Sequence, residues 1–353
     1  MDLSLIDHSQ LKYWSHTDLS YIKHDDALRE FYKYDPVKSS FPEISKARKE
    51  FQTDRILLTR VIKKQYAELE ISLPVNEEVF LNQNTFTITT AHQPALLTGP
   101  LFHIYKIASI IHLANDLMAG NTDFKIIPVF VVNSEDHDWA EVNHLHLFGK
   151  KIEWERTSKG PSGRLSTEGL DKLAEIIYNL FSNAPHLNEI KELLSSCLQK
   201  AGNYSQFHRL LLHHIFGQHG LVILDMDDID LKRAFIPVME KEITEQFSFK
   251  PVSETQASLE KAGFKPQAFC RPINLFYMTD TIRERIEPTE KGIVKVESKT
   301  LQSLDEIVNE LHSHPDRFSP NVILRPIYEE FILPNLAYIG GGGEIAYWLE
   351  RKS

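Results

Sequence analysis

Cysteine is nearly absent from this 353-residue chain: Cys197 and Cys270 are the only two, and they stand at no metal-ligand or CxxC spacing. That excludes a disulfide scaffold and a cysteine-built zinc site, and it suits a reducing compartment. Both thiols read as small buried apolar residues rather than reactive groups. Long apolar runs are missing too, with none near the roughly 20 residues that carry a helix across a bilayer. The opening Met1-Asp-Leu-Ser-Leu-Ile-Asp-His8 lacks the basic and then apolar pattern of a secretory leader. Positive charge is in deficit, 39 Lys and Arg against 49 Asp and Glu, for a formal net charge of −10. No basic stretch offers a phosphate-binding surface. A cytoplasmic protein that engages neither membrane nor nucleic acid is expected.

The chain is 42% hydrophobic and 25% charged, ordinary values for a globular protein, and it is long enough for more than one domain. Strand-like runs at Thr85–Thr90, Phe124–Val132 and Gly220–Asp225 alternate with helical periodicity. The clearest helix is Leu101–Leu117, whose Ile104, Ile107, Ala108, Ile111 and Ala114 share a wide apolar face. Such alternation predicts the α/β class with a parallel sheet core. Residues 1–80 form a helical N-terminal region, 81–150 the first part of the core and 151–219 a helical insertion. Residues 220–250 continue the core, 251–320 form a second insertion, and 321–353 end the core and begin a C-terminal helix. Within the first insertion a hairpin is expected around Gly149-Lys150, then one amphipathic helix over 167–200 and another over 204–218. The second insertion carries strands at 269–280 and 293–296. The chain stops at Ser353, about two turns into a helix that begins near Glu344, so a longer protein is expected.

Parallel strands gather their carboxyl ends on one edge, where small ligands bind. The first run leads into Ala91-His92-Gln93-Pro94 and then Thr98-Gly99-Pro100. Thr98 or Gly99 suits the N-cap of the following helix, with Pro100 at its first position. A helix start exposes free N–H groups that attract anions, and Lys106 lies within reach of that mouth. His92 and Gln93 add hydrogen-bonding groups to the same turn; the plainer reading is a capped helix and a solvated lysine. The second run ends in Asn133-Ser134-Glu135-Asp136-His137-Asp138, where crowded carboxylates beside an imidazole call for cations or protons. His137 is the candidate acid or base; the alternative is a surface turn. Asp225, Asp227 and Asp228 end the third run and suit a substrate amine, a hydrated cation or a helix cap. Gly340–Gly343 suits a phosphate cradle or a plain turn. His137, Glu141 and His144 fall at i, i+4, i+7, one face of a helix, with His146 beyond; this matches no closed zinc signature, and no metal is assigned.

The strings Thr90-Ala-His-Gln-Pro-Ala-Leu-Leu-Thr-Gly-Pro100, Pro128-Val-Phe-Val-Val-Asn-Ser-Glu-Asp-His-Asp138, Ser319-Pro-Asn-Val-Ile-Leu-Arg-Pro326 and Tyr338-Ile-Gly-Gly-Gly-Gly-Glu-Ile-Ala-Tyr-Trp348 resemble the bacillithiol biosynthesis cysteine-adding enzymes, a family of cysteine ligases. The resemblance runs in order from about 85 to 348. It implies a Rossmann-like core related to class I aminoacyl-tRNA synthetases, and ligation of cysteine to the glucosamine amine of glucosaminyl-malate. It also implies a further coiled coil that supports a homodimer of the full-length chain. Many members carry Gly-Gln where Ala91-His92 stands here.

Joining a carboxylate to an amine requires activation, for which ATP with magnesium is expected from the chemistry. On this reading Thr90, His92, Gln93, Thr98, Gly99, Lys106, Asn133, Asp225 and Gly341 bind substrate. Arg325 pairs with a malyl carboxylate, and Glu344 meets an amine or hydroxyl. His137 takes the amine proton, with Glu135 or Asp136 orienting it. The rivals are a metal-dependent hydrolase built on His137, Glu141, His144 and His146, and a sugar- or nucleotide-binding module without chemistry.

Overall fold

The computed structural model describes residues 6–120 and 124–352. The N-terminal region is helical: α1 (His16–Ile22), α2 (Phe41–Glu50) and α3 (Arg55–Ala67). Next come β1 (Thr85–His92), α4 (Leu101–Ala119) and β2 (Lys125–Val132), a βαβ unit. A four-residue helix, α5 (Trp139–Val142), and the hairpin of β3 (His144–Leu147) and β4 (Lys150–Glu153) follow. Three helices, α6 (Leu170–Leu180), α7 (Leu187–Lys200) and α8 (Tyr204–Phe216), then lead to β5 (Val222–Asp225). Beyond α9 (Ile229–Glu245) and α10 (Phe249–Lys261) lie β6 (Leu275–Met278), β7 (Arg283–Thr289), β8 (Gly292–Lys295) and β9 (Thr300–Gln302). The last elements are α11 (Leu304–Ser313), β10 (Phe318–Pro320), α12 (Arg325–Ile332), β11 (Asn335–Tyr338) and α13 (Gly342–Leu349).

The core sheet is parallel with strand order β11-β1-β2-β5, in agreement with the predicted class. Its register sets His92 beside Val132 and Val132 beside Asp225, so three strands end flush. Both faces are covered, which is why the strands read as nearly unbroken apolar runs. On one face Phe86, Ile88, Ile126, Phe130 and Ile223 pack against α4 and α8. On the other, Ala91, Ile127, Val129, Val131 and Leu224 meet α3, α9 and α12. The same core takes in Leu275, Tyr277, Ile286 and Ile293 from the antiparallel sheet β10-β6-β7-β8-β9. That sheet is thereby packed onto the parallel one and brings its own side chains to the edge.

Two local expectations change. The single helix over 167–200 is two helices, because Asn183-Ala-Pro185 interrupts the backbone hydrogen bonds between them. The second insertion has more strand than its sequence suggested. Arg283-Glu-Arg-Ile-Glu-Pro-Thr289 is a strand although charged, because an antiparallel ladder needs apolar groups on one face at most. The hairpin is where it was expected. Cys197 is buried among α6–α8, and burial pushes its thiol up to about 11; both cysteines are free.

Candidate active site

After β1 the chain doubles back before α4. Gly99 N–H donates to the Leu96 carbonyl at 2.9 Å, and Gly99 adopts φ +65°, a left-handed conformation that a side chain disfavours. Because Gly99 is committed to that turn, neither it nor Thr98 caps α4. Pro100, with extended ψ of 154°, holds the N-cap position, and the helix starts at Leu101. No side chain caps this 19-residue helix, so the N–H groups of Leu101 and Phe102 keep their affinity for an anion, while that of His103 donates to the Pro100 carbonyl at 2.9 Å.

Lys106 does not reach that mouth. Its buried Nζ donates to the Ala91 carbonyl at 2.8 Å and to both Glu344 oxygens at 2.7 and 2.9 Å. Glu344 also accepts from Gly341 N–H at 2.7 Å and from the Tyr338 hydroxyl. Two residues expected to meet substrate separately are therefore each other's partner, and Gly341 supports the pair. Asp18 packs against Gly342, and its acidity makes the glycine segment a poor phosphate cradle. Thr90 is fully buried and donates to the Ile339 carbonyl at 2.7 Å, fastening β1 to the segment after β11. His92 Nδ1 donates to the Gln93 carbonyl at 2.8 Å, and the ring stacks on His103, which stacks on Phe130 and His208. Burial drives His103 to about 2 and His208 to about 3, so both behave as neutral, apolar rings. Gln93 is buried beside them.

The turn after β2 is the centre of the edge. Asn133 N–H donates to the His92 carbonyl at 3.0 Å, tying the two strand ends together. Asp136 receives a two-pronged ion pair from Arg325, at 2.6 and 2.7 Å, and Arg283 approaches it at 3.2 Å. Burial alone would raise the Asp136 carboxyl, but the two guanidinium groups prevail and hold it at about 2. Arg325 was expected to pair with a malyl carboxylate; the carboxylate it grips here is that of Asp136. Glu135 pairs with Lys232 at 2.5 Å, and Lys232 also contacts Asp227 at 2.7 Å. Arg164 grips Asp227 at 2.7 and 2.9 Å and reaches Asp280 at 3.1 Å. Neither carboxylate orients His137. Its Nδ1 lies 3.0 Å from Arg283 Nη1, and burial together with the Arg283 charge lowers its pKa.

The acidic residues after β5 line a polar cavity of about 630 Å³ with Lys64, Arg164 and Arg209. Asp225 accepts from the Ser134 and Ser205 hydroxyls and from Asp227 N–H, and burial raises its pKa. Asp228 caps α9 through the N–H groups of Asp230 and Leu231, the plainer of its expected roles. The metal reading loses its premise. Helix α5 stops at Val142 and His144 lies on β3, so His137, Glu141 and His144 do not share a helical face. Among the described residues no three His, Cys, Asp or Glu side chains are grouped to hold a metal ion.

Sequence reasoning missed Lys232, Arg283 and Arg164, each an ordinary basic residue far along the chain. The signal was indirect: acids crowded at a buried edge require cations from elsewhere. Gly163 was also missed. Its N–H donates to the Ser134 carbonyl at 2.8 Å, and a Cβ there would lie 2.3 Å from that of Ser134. Gly163→Ala is expected to cost about 1–3 kcal/mol by overpacking. Chemical denaturation checks this, and an unchanged midpoint would mean that the turn can yield.

The whole chain, residues 1–353, matches the family described as Bacillithiol biosynthesis BshC, N-terminal Rossmann-like domain. It belongs to the BshC family. Among its relatives is a protein of Flavobacterium johnsoniae, 42% identical over 357 residues, covering 100% of this chain and 67% of the relative. Another, from Cytophaga hutchinsonii, is 38% identical over 336 residues, covering 95% of this chain and 62% of the relative. A Bacillus cereus protein is 31% identical over 291 residues, covering 78% and 53%. All three carry the name "Putative cysteine ligase BshC". The chain thus spans about two thirds, or less, of these BshC relatives, and its four-stranded parallel sheet is the family's Rossmann-like domain.

Proposed function

We propose that this chain supplies the ligating core of a cysteine ligase in bacillithiol biosynthesis, joining the carboxyl of cysteine to the glucosamine amine of glucosaminyl-malate. The observation that carries this reading is the edge itself: Arg283 from the start of β7 and Arg325 from the start of α12 converge on Asp136 in the turn after β2, and Arg283 also meets His137. Cations so placed suit substrates rich in carboxylates. Arg325 is already shaped around one carboxylate, and a malyl group offers the same fork. The acid-lined cavity beside β5 suits the amino sugar, whose amine is the nucleophile.

ATP with magnesium would supply the activation that a carboxylate needs before an amine can displace its oxygen. The uncapped start of α4 is the part of this edge whose donors fit a phosphate. The test is mass spectrometry of a reaction containing protein, cysteine, glucosaminyl-malate, ATP and magnesium. A product at the mass of bacillithiol, lost when protein or nucleotide is omitted, is expected. No product from this chain or from a version extended to the length of its relatives would leave a sugar- or nucleotide-binding module in its place.

A further inference from the structure

We infer that His137 serves this edge as a hydrogen-bond donor through Nε2–H rather than as a base, and that Arg283 is the positioning residue that fixes this state. The inference rests on the ligase reading only for the identity of the oxygen that the donor meets.

A guanidinium carries five donors and no acceptor, so any hydrogen bond it shares is one that it donates. Arg283 is held on every side. Nε and Nη2 donate to the Ser319 hydroxyl at 3.2 and 3.1 Å, and Nη2 also donates to the Pro320 carbonyl at 3.3 Å. Nη1 faces Asp136 at 3.2 Å and His137 Nδ1 at 3.0 Å. The guanidinium lies on the ring of Phe276 at 3.9 Å. Strands β6, β7 and β10 of the antiparallel sheet thus clamp this one group, and it cannot turn away from the imidazole.

His137 Nδ1 must then present a lone pair. A neutral imidazole with an unprotonated Nδ1 carries its proton on Nε2. An imidazolium has no lone pair to offer and would set two cations 3.0 Å apart. Asp136, Asp138 and Glu297 pull toward the charged form, but burial and the Arg283 charge outweigh them. Among the described residues nothing hydrogen-bonds to Nε2, and the ring is only half-buried. The group offered to a ligand is a neutral N–H donor. It suits an oxygen that gains negative charge during ligation, a carboxyl or carbonyl oxygen, and it cannot accept the amine proton at that nitrogen.

The decisive measurement is NMR of protein labelled with ¹⁵N-histidine at neutral pH, the His137 signals being assigned by their loss in His137→Gln. Nε2 bearing the proton and Nδ1 free of it are expected. A proton on Nδ1, or on both nitrogens, overturns the inference whether or not any ligation is seen. Arg283→Lys keeps one donor toward Nδ1 and should preserve the tautomer, whereas Arg283→Met should give a mixture of the two. A pure Nε2–H form in Arg283→Met removes Arg283 as the positioning residue; if that variant does not fold, the unmodified protein still decides the tautomer. In the ligation assay a lost donor costs about 10²–10³-fold in rate. His137→Ala should show that loss and His137→Gln, which keeps an N–H, much less. Equal loss in both would restore the base. Absence of ligation in every version counts against the ligase reading and leaves the tautomer result standing.

Discussion

A Lys232→Met variant is expected to lose about 3–5 kcal/mol of stability, the cost of stranding a buried charge without its partner. Lys232 is 1% exposed, and its ammonium lies between Glu135 and Asp227. Methionine fills the space and removes the charge. Asp227 keeps Arg164, but Glu135 is left in the interior with no cation in contact. Against a total stability of about 5–15 kcal/mol, that loss would unfold much of the population under mild denaturant. Adding Glu135→Gln should recover part of it, because the stranded carboxylate becomes neutral. Chemical denaturation of the single and double variants measures both effects. A single variant within about 1 kcal/mol of the parent would mean that Glu135 is already protonated in the folded protein.

The second large effect depends on pH. Glu329 is buried beneath β1, accepting from the Thr89 hydroxyl, while the Asn335 amide donates to Thr89 at 3.0 Å. Burial pushes the Glu329 carboxyl up to about 8. Unfolded, the same group titrates near ~4.3. Between those values the folded chain holds a proton that the unfolded chain releases, so rising pH favours unfolding. The contribution is complete at acid pH and is lost progressively as pH climbs to about 8. Each pH unit is worth about 1.4 kcal/mol. Glu329→Gln, which mimics the protonated acid, should match the parent at pH ~5 and exceed it at pH ~9 by about 3–5 kcal/mol. Glu330, pushed by burial to about 7, adds a similar slope over a narrower pH range, and the variant retains it. Denaturation midpoints at the two pH values decide the matter, and parallel curves for the two proteins would mean that Glu329 is ionised throughout.

Much of the parallel sheet was legible because its strands are buried on both faces. Ile126–Val132 and Val222–Leu224 announce themselves as apolar runs, and each ends in a polar group that marks the edge. The turn at Asn133–Asp138 was singled out in this way, whereas Arg325 and Glu344 were named only through the resemblance and lie at the starts of α12 and α13. What the residues face was not legible. Lys106 and Glu344 are 238 positions apart, and nothing local says that they neutralise one another. Arg283 sits in a strand so charged that its pattern argues against a strand, and its contact with His137 spans 146 positions. The start of α4 at Leu101 was legible, but its N-cap is Pro100 rather than Thr98 or Gly99, because Leu97 and Gly99 both turn left-handed just before it. Periodicity reports which side of an element is apolar. It does not report which charge crosses the interior to meet another.

The position of β11 carries a further consequence, one of timing. Strands β1, β2 and β5 are neighbours in the sheet and all precede β11 in the chain, so they can pair while later residues are still being made. The other side of β1, with Thr87 and Thr89, waits for Asn335–Tyr338, about 250 residues downstream. Long loops of this kind close slowly. Until then β1 presents an unpaired edge, a template for mispairing between growing chains.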